Sequence, residues 1–469
     1  MKKILSVLFA VAMVFGCMSG ISVSADSGFT LSASNETAFP GGEVRVSVAL
    51  SDNVVGITGV QFSLGYDANL FVMKEVVNEG LMDGYMNSQT IDVNPYLVLY
   101  GQPSDTYETG VLTTFVFEVK ETTPAGVYPL DLEVLQCNHD GSKIPNPPSV
   151  DGTITVKEPV STLTSSSISL GQDIAINYYV ELCPADVGAQ MKFTMNNKET
   201  LVDGVKVAGD EYKYTFTKIA PQCMGDTIKA ELMKGGNVIL TKEEFSVRAN
   251  CQALVAKDAA ALGYTDEQYA AMKTLVADLM EYGAAAQLYK DHATTALVNE
   301  GFSGASSFTS FVNEDKYVEE GKNFDENLVA TAAGVYFDYE NSLYLKYDCV
   351  GFTAENSRIT FVEVDPANDF EEIGDPVTYT INDSEMLSEG KYCLKIPVAP
   401  TEFDSVYLFT LEKKPSTRWQ VSQDVYYSVN AYIYSIVTGG TASDGMVSLA
   451  KTLYNYGVSA EAFMNSFNG

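Results

Sequence analysis

GVQFSLGYDANLF, Gly59 to Phe71, alternates with a period of two. Successive side chains of a strand point to opposite faces, so Val60, Phe62, Leu64 and Tyr66 can enter a core while Gly59, Gln61, Ser63 and Gly65 point away from it. The run ends in Asp67-Ala68-Asn69, where Asp and Asn favour a turn, and reads as a strand leaving a sheet at a corner. Its outer row is small and nearly flat. Such a row is either simply solvated or kept clear for a partner.

Outward from this strand, the same alternation recurs between Phe29 and Val156 in EVRVSVAL, YLVLYG, VLTTFVFEV, VYPLDLEV and GTITV, broken by Gly, Pro, Asn and Asp. Short strands at regular spacing, with no helical period, predict a β-sandwich or jelly roll. In YLVLYG, Tyr96, Val98 and Tyr100 share one face, which we assign to the outside together with Gly59, Gln61 and Ser63. Parity alone also allows these three in the core. Lys157-Glu158-Pro159, a charged pair followed by proline, marks an exposed joint.

Beyond the joint, strand-like runs (ISLGQDIAINYYVEL, QMKFTMN, YKYTFTKIAP, TIKAELM, EEFSVRA) give way near Asn250 to a helical period. Thr265 to Gln268 fits a capping box, and Met272, Leu275, Val276, Leu279 and Gly283 form an apolar stripe kept thin by Ala284 to Ala286. The last third of the chain repeats this unit. Ser246-Val247 falls on Ser428-Val429, Tyr282-Gly283 on Tyr456-Gly457, and Ile219-Ala220-Pro221 on Val398-Ala399-Pro400. The fold class expected is therefore multidomain: an all-β jelly-roll sandwich over 26–159, then two α+β modules over 160–297 and 298–469, each a β-sandwich with C-terminal helices over its own sheet.

Lys2 and Lys3 precede an apolar run, Ile4 to Gly16, too short to span a bilayer, and Val23-Ser24-Ala25 offers a peptidase site. Residues 1–25 read as a signal peptide, which makes the protein secreted. A competing reading takes Val14-Phe15-Gly16-Cys17 as a lipobox and holds the protein at the cell surface by a lipid on Cys17. No membrane span is expected. A net charge of −32 argues against nucleic acid or an anionic lipid surface as partner.

The sequence does not read as that of an enzyme. It has no GxSxG elbow, no GxxxxGK[ST] loop and no Gly-rich dinucleotide turn, and 61 acidic residues produce carboxylate pairs by chance. His139 and His292, the two histidines, read as surface residues, and without CxxC or HxxxH spacing no zinc site is expected. Asp92-Val93-Asn94 stops at Pro95 and Asp365 to Asp369 lacks a glycine turn, so neither is a calcium loop. No cofactor is assigned. Beyond Cys17, Cys137, Cys183, Cys223, Cys251, Cys349 and Cys393 lie far apart and read as buried thiols rather than disulfides.

Pro40-Gly41-Gly42-Glu43-Val44, Gly56 to Phe62, Tyr66-Asp67 with Leu70, and TGVLTTFVFEVKETTPAGVYPL resemble, in order and spacing, the bacterial cohesin domain. That resemblance implies a nine-stranded jelly roll of a scaffold protein that captures dockerin domains of plant-polysaccharide-degrading enzymes. It also implies docking on a flat sheet face that includes Gly59 to Tyr66. Gly59 and Gln61 stand where the family has polar and acidic groups, a departure that bears on which dockerin fits. The paired modules look like the strand-and-helix units ending in "YGAAAQ" on surface proteins of anaerobic Gram-positive bacteria. The function expected is a non-catalytic adaptor binding dockerins through Gly59, Gln61, Ser63, Tyr96, Val98 and Tyr100. The alternative is a carbohydrate-binding or adhesive protein, for which Trp419, the one tryptophan, lies outside the first domain.

Overall fold

The structure, a computed structural model, describes residues 29–467 apart from 83, 89–92, 172, 218, 312–325 and 338–340. The signal segment 1–25 and Cys17 lie outside the described residues.

The first domain is built from β1 (Thr30–Ala33), β2 (Asn35–Ala38), β3 (Glu43–Ser51), β4 (Ile57–Gly65), β5 (Phe71–Asn78), β6 (Tyr85–Ser88), β7 (Tyr96–Thr106), β8 (Gly110–Val119), β9 (Gly126–His139), β10 (Ser142–Ile144), β11 (Ser149–Val150) and β12 (Gly152–Val156). One sheet has the order β11-β1-β3-β8-β5; the other has β2-β12-β9-β4-β7-β6, with β10 beside β9. Most neighbours are antiparallel, but β1 with β11 and β2 with β12 run parallel. The corner after β4 forms as the sequence suggests: Leu70 N–H donates to Asp67 O at 3.0 Å and Asn69 N–H to Asp67 Oδ1 at 2.8 Å.

Alternation places Val60, Phe62 and Leu64 of β4 in a core with Phe71, Phe115 and Phe117, all 1 % exposed or less. Phe62 meets Phe115 edge-on, with ring centroids 6.5 Å apart. Each such side chain contributes roughly 1.5–3 kcal/mol by leaving water. This core runs from Phe29 to Val156 and is separate from the core that follows. At the joint, Lys157 N–H donates back to Ala38 O and its ammonium pairs with Glu181 of the next unit.

The repeat is a repeat of topology. The first copy stacks the sheet Thr162–Leu170, Ile174–Glu181, Glu211–Phe216, Val205–Ala208 beside Lys198–Asp203, Gln190–Met195, Ile228–Lys234, Asn237–Phe245. Numbered along each copy, the orders are 1-2-6-5 and 4-3-7-8, and the eight strands from Leu328–Phe337 to Gln420–Tyr427 reproduce both. Helices close each copy: α1 (Val247–Val255), α2 (Ala259–Leu262) and α3 (Asp266–Tyr289) in the first, α4 (Val429–Thr438) and α5 (Asp444–Asn465) in the second. Ser246 Oγ accepts from Ala249 N–H at 3.0 Å and Ser428 Oγ from Ala431 N–H at 2.9 Å, so the matched serines cap matched helices. Thr265 and Gln268 form the capping box of α3. The whole is multidomain and mostly β-sandwich, with few helices at the ends of the units.

One expectation changes. The helices do not cover only their own sheets, because α3 and α5 pack on each other and one continuous core extends from Ile168 to Phe463. This is why α3 is buried nearly all round in its second half, Asp278 and Gln287 included. The segment after α3 is pinned between the two long helices. Ser306 N–H and Oγ–H donate to Asp278 at 2.6 and 2.8 Å, and Asn455 Nδ2–H donates to Ser306 O at 2.8 Å. None of the six cysteines among the described residues is in a disulfide, and all but Cys223 are buried.

Candidate functional site

The outward face of β9-β4-β7-β6 is assembled by cross-strand register. Gly59 lies between Gly101 of β7 and Asn138 of β9, Gln61 between Leu99 and Gln136, and Ser63 between Leu97 and Glu133, while Gly65 pairs with Asp131. Tyr85 and Asn87 of β6 continue the row beside Gly101 and Leu99. The middle of this face is low. Ser63 is only 4 % exposed, and a Cβ added to Gly59 would come 3.0 Å from Tyr100 O. A Cβ on Gly101 would meet the Tyr85 ring at 2.8 Å, so glycine there lets the exposed Tyr85 lie across the sheet.

The face divides by chemistry. Leu97 and Leu99 are half-buried and apolar at its centre. Gln61, Gln136 and Asn138 form a polar strip, with Gln136 Nε2–H donating to Asn138 Oδ1 at 3.2 Å. Asp131 and Glu133 are exposed at one end. Past Asn138, on the same side of β9 as Cys137 and so outside this row, His139 Nδ1 faces Asp105 Oδ2 at 2.9 Å. Such an apolar centre with a polar and charged rim suits recognition of a protein surface.

Gly59, Gln61 and Ser63 therefore occupy the expected face, but Tyr96, Val98 and Tyr100 do not. They are 2 %, 0 % and 1 % exposed and pair with Leu64, Phe62 and Val60 on the core side. The physical reason lies in the tyrosine hydroxyl. Tyr100 Oη–H donates to Leu112 O at 2.8 Å and sits 2.8 Å from Thr113 Oγ1, so the opposite sheet satisfies the polar tip inside the core. Burial pushes this phenol above its ordinary pKa, with the Thr113 hydrogen bond acting in the opposite direction. Cys137, on the core side of β9, is pushed up to about 12 by burial. Sequence reading missed Leu97, Leu99 and Tyr85, and also the β9 row. The alternation of DLEVLQCN carried a signal for Asp131 and Glu133, but their place beside β4 follows from sheet order.

Trp419 is not an open platform. Its ring is covered by the Arg358 guanidinium at 4.2 Å and the Lys414 ammonium at 5.5 Å. Among the described residues no helix is long and apolar enough to cross a membrane.

Residues 29–156 match the family model of the cohesin domain. The seventh ScaB type I cohesin from Pseudobacteroides cellulosolvens is 25 % identical, over 28 % of this chain and 92 % of that one, with a TM-score of 0.26. The Coh-OlpA–Doc918 complex from Clostridium thermocellum, a type I cohesin–dockerin complex, is 22 % identical over 28 % and 99 %, with a TM-score of 0.26. A non-cellulosomal cohesin from the hyperthermophilic archaeon Archaeoglobus fulgidus is 20 % identical over 28 % and 91 %, with a TM-score of 0.25. No curated protein matches the chain.

Proposed function

We propose that the protein is a non-catalytic extracellular adaptor whose first domain, 26–159, captures dockerin-bearing polysaccharide-degrading enzymes. The cohesin match over residues 29–156 carries this reading. The low face of β9-β4-β7-β6 supports it, because a stable complex buries roughly 800 Å² on each partner and a flat sheet supplies that area only if no side chain stands up from its centre. Leu97 and Leu99 supply the apolar centre, Gln61, Gln136 and Asn138 the hydrogen bonds, and Asp131 and Glu133 attraction for a basic edge on the dockerin. The units 160–297 and 298–469 share one hydrophobic core and in this reading serve as the body to which the domain is attached.

Export rests on residues 1–25, and N-terminal sequencing of protein recovered from culture medium should begin at Asp26. The test of function is capture. Immobilised full chain should retain dockerin-bearing enzymes from a secretome of polysaccharide-grown cells and should not be retained by the insoluble polysaccharide itself. Retention by polysaccharide alone would replace the adaptor reading with glycan binding.

A further inference from the structure

Cys223, Asp226 and His292 bring one thiol, one carboxylate and one imidazole together in the first module, with their ligand atoms all within 4.8 Å of one another. Three separate pieces of chain converge here. Cys223 ends the 3-10 turn Pro221–Cys223, and Asp226 follows in the same tight loop, its N–H donating to Cys223 O at 2.9 Å. His292 lies just past the end of α3, where its N–H donates to Gln287 O at 2.9 Å. Its Nε2 is 3.0 Å from Asp226 Oδ1. Asn196, from the hairpin joining Gln190–Met195 to Lys198–Asp203, donates from Nδ2 to the other Asp226 oxygen at 2.7 Å and lies 3.9 Å from Cys223 Sγ.

We propose that Cys223, Asp226 and His292 form a zinc site that clips the end of α3 to the Pro221–Cys223 turn. Zn²⁺ takes thiolate, imidazole and carboxylate ligands at about 2.0–2.3 Å in tetrahedral geometry, and a modest closing of the three groups around an ion meets that requirement. Asn196 supplies what such sites need outside the ligands, a hydrogen bond that orients the carboxylate. A water completes the fourth position. As the S–Zn bond forms, the Cys223 thiol gives its proton to solvent, and no electron is transferred.

The second copy provides an internal comparison. Pro400 answers Pro221 and Tyr456 answers Tyr282, which puts Glu402, Ser405 and Ser466 at the places of Cys223, Asp226 and His292. There Glu402 accepts from Ala399 N–H at 3.1 Å and Ser405 Oγ–H donates to Glu363 at 2.9 Å, so that turn is closed by hydrogen bonds within the protein. The ligand set belongs to the first copy alone.

The experiment uses the full chain, stripped with EDTA and titrated with Zn²⁺ and separately with Co²⁺. One equivalent of zinc should bind and raise the melting temperature, and cobalt should give a thiolate charge-transfer band. Cys223→Ser and His292→Gln, both at positions that are not buried, should keep the metal-free melting temperature while weakening zinc binding at least about a hundredfold and removing the band or shifting it. His139→Gln, at the other histidine, should bind as the parent does. Absence of the cobalt band in the parent, or unchanged zinc affinity in both variants, would overturn the assignment and leave His292 and Asp226 as a hydrogen-bonded pair at the surface.

Discussion

The rings of Tyr282 and Tyr456 stack with centroids 5.9 Å apart and planes 9° from parallel, and the two residues are 0 % and 1 % exposed. They are the same position of the two copies, so the long helices meet through matched residues, as in an isologous contact between two identical chains. Tyr282 Oη–H also donates to Asn341 Oδ1 at 3.0 Å, reaching from the first copy into the second.

The two copies should therefore fold as one unit. Residues 298–469 expressed without 160–297 would expose the Tyr456 face and should give aggregated or poorly ordered protein. Residues 26–159, with their own core, should give a soluble monomer with a single unfolding transition. Size-exclusion chromatography and circular dichroism of the two fragments decide this, and a well-folded monomer of 298–469 would refute the shared core.

Gly283 and Gly457 are matched close approaches. A Cβ on Gly283 would lie 2.8 Å from Val298 Cγ1 and 3.2 Å from Pro221 O, and one on Gly457 would lie 2.6 Å from Phe403 Cδ2 and 3.3 Å from Pro400 O. Leucine at either position should overpack the helix against its turn and cost about 1–3 kcal/mol or more. Denaturant unfolding of the full chain measures the cost. Alanine should show a smaller loss of the same sign.

On the first domain, Ser63→Trp and Gln61→Arg put bulk on the outer face while Phe62→Ala empties the core between them. The outward changes should leave the melting temperature nearly unaltered and lower dockerin capture at least about tenfold. Phe62→Ala should cost about 3–5 kcal/mol. Folded outward variants that capture as well as the parent would move docking to another surface.

Asp278 yields a pH dependence. Burial holds its carboxyl above the ordinary carboxylate range, with the Ser306 hydrogen bonds pulling the other way. A carboxyl raised in the folded state contributes stability that is fully present below its unfolded value, about 3.9, and is lost as pH rises through the folded value. Asp278→Asn keeps an acceptor for Ser306 N–H and cannot ionise. Its melting temperature relative to the parent should therefore climb as pH rises above about 4, and a constant difference would show that Asp278 is not the group responsible.

The strand Gly59 to Gly65 was legible because a half-buried sheet imposes strict alternation on it. YLVLYG was not, because both of its faces are apolar, with Leu97 and Leu99 outside and Tyr96, Val98 and Tyr100 inside, and contacts across the sandwich such as the hydrogen bond from Tyr100 break the tie. The repeat showed in Ser246 and Ser428 and in Gly283 and Gly457, where caps and close approaches demand particular residues. The joining of the two helical layers did not show, since an apolar stripe records burial and not what covers it. Spacing also hid the grouping of Cys223 with His292, which depends on the end of α3 folding back to the turn before Asp226.

The first domain begins and ends in parallel neighbours, β1 beside β11 and β2 beside β12. Tension applied between the chain entering at Thr30 and the chain leaving at Val156 would slide β2 along β12, loading the four residue pairs from Asn35 with Thr153 to Ala38 with Val156 together rather than peeling them one by one. The first domain is thereby joined to the rest of the molecule in shear, so that several hydrogen bonds of the ladder would have to break at once rather than in turn.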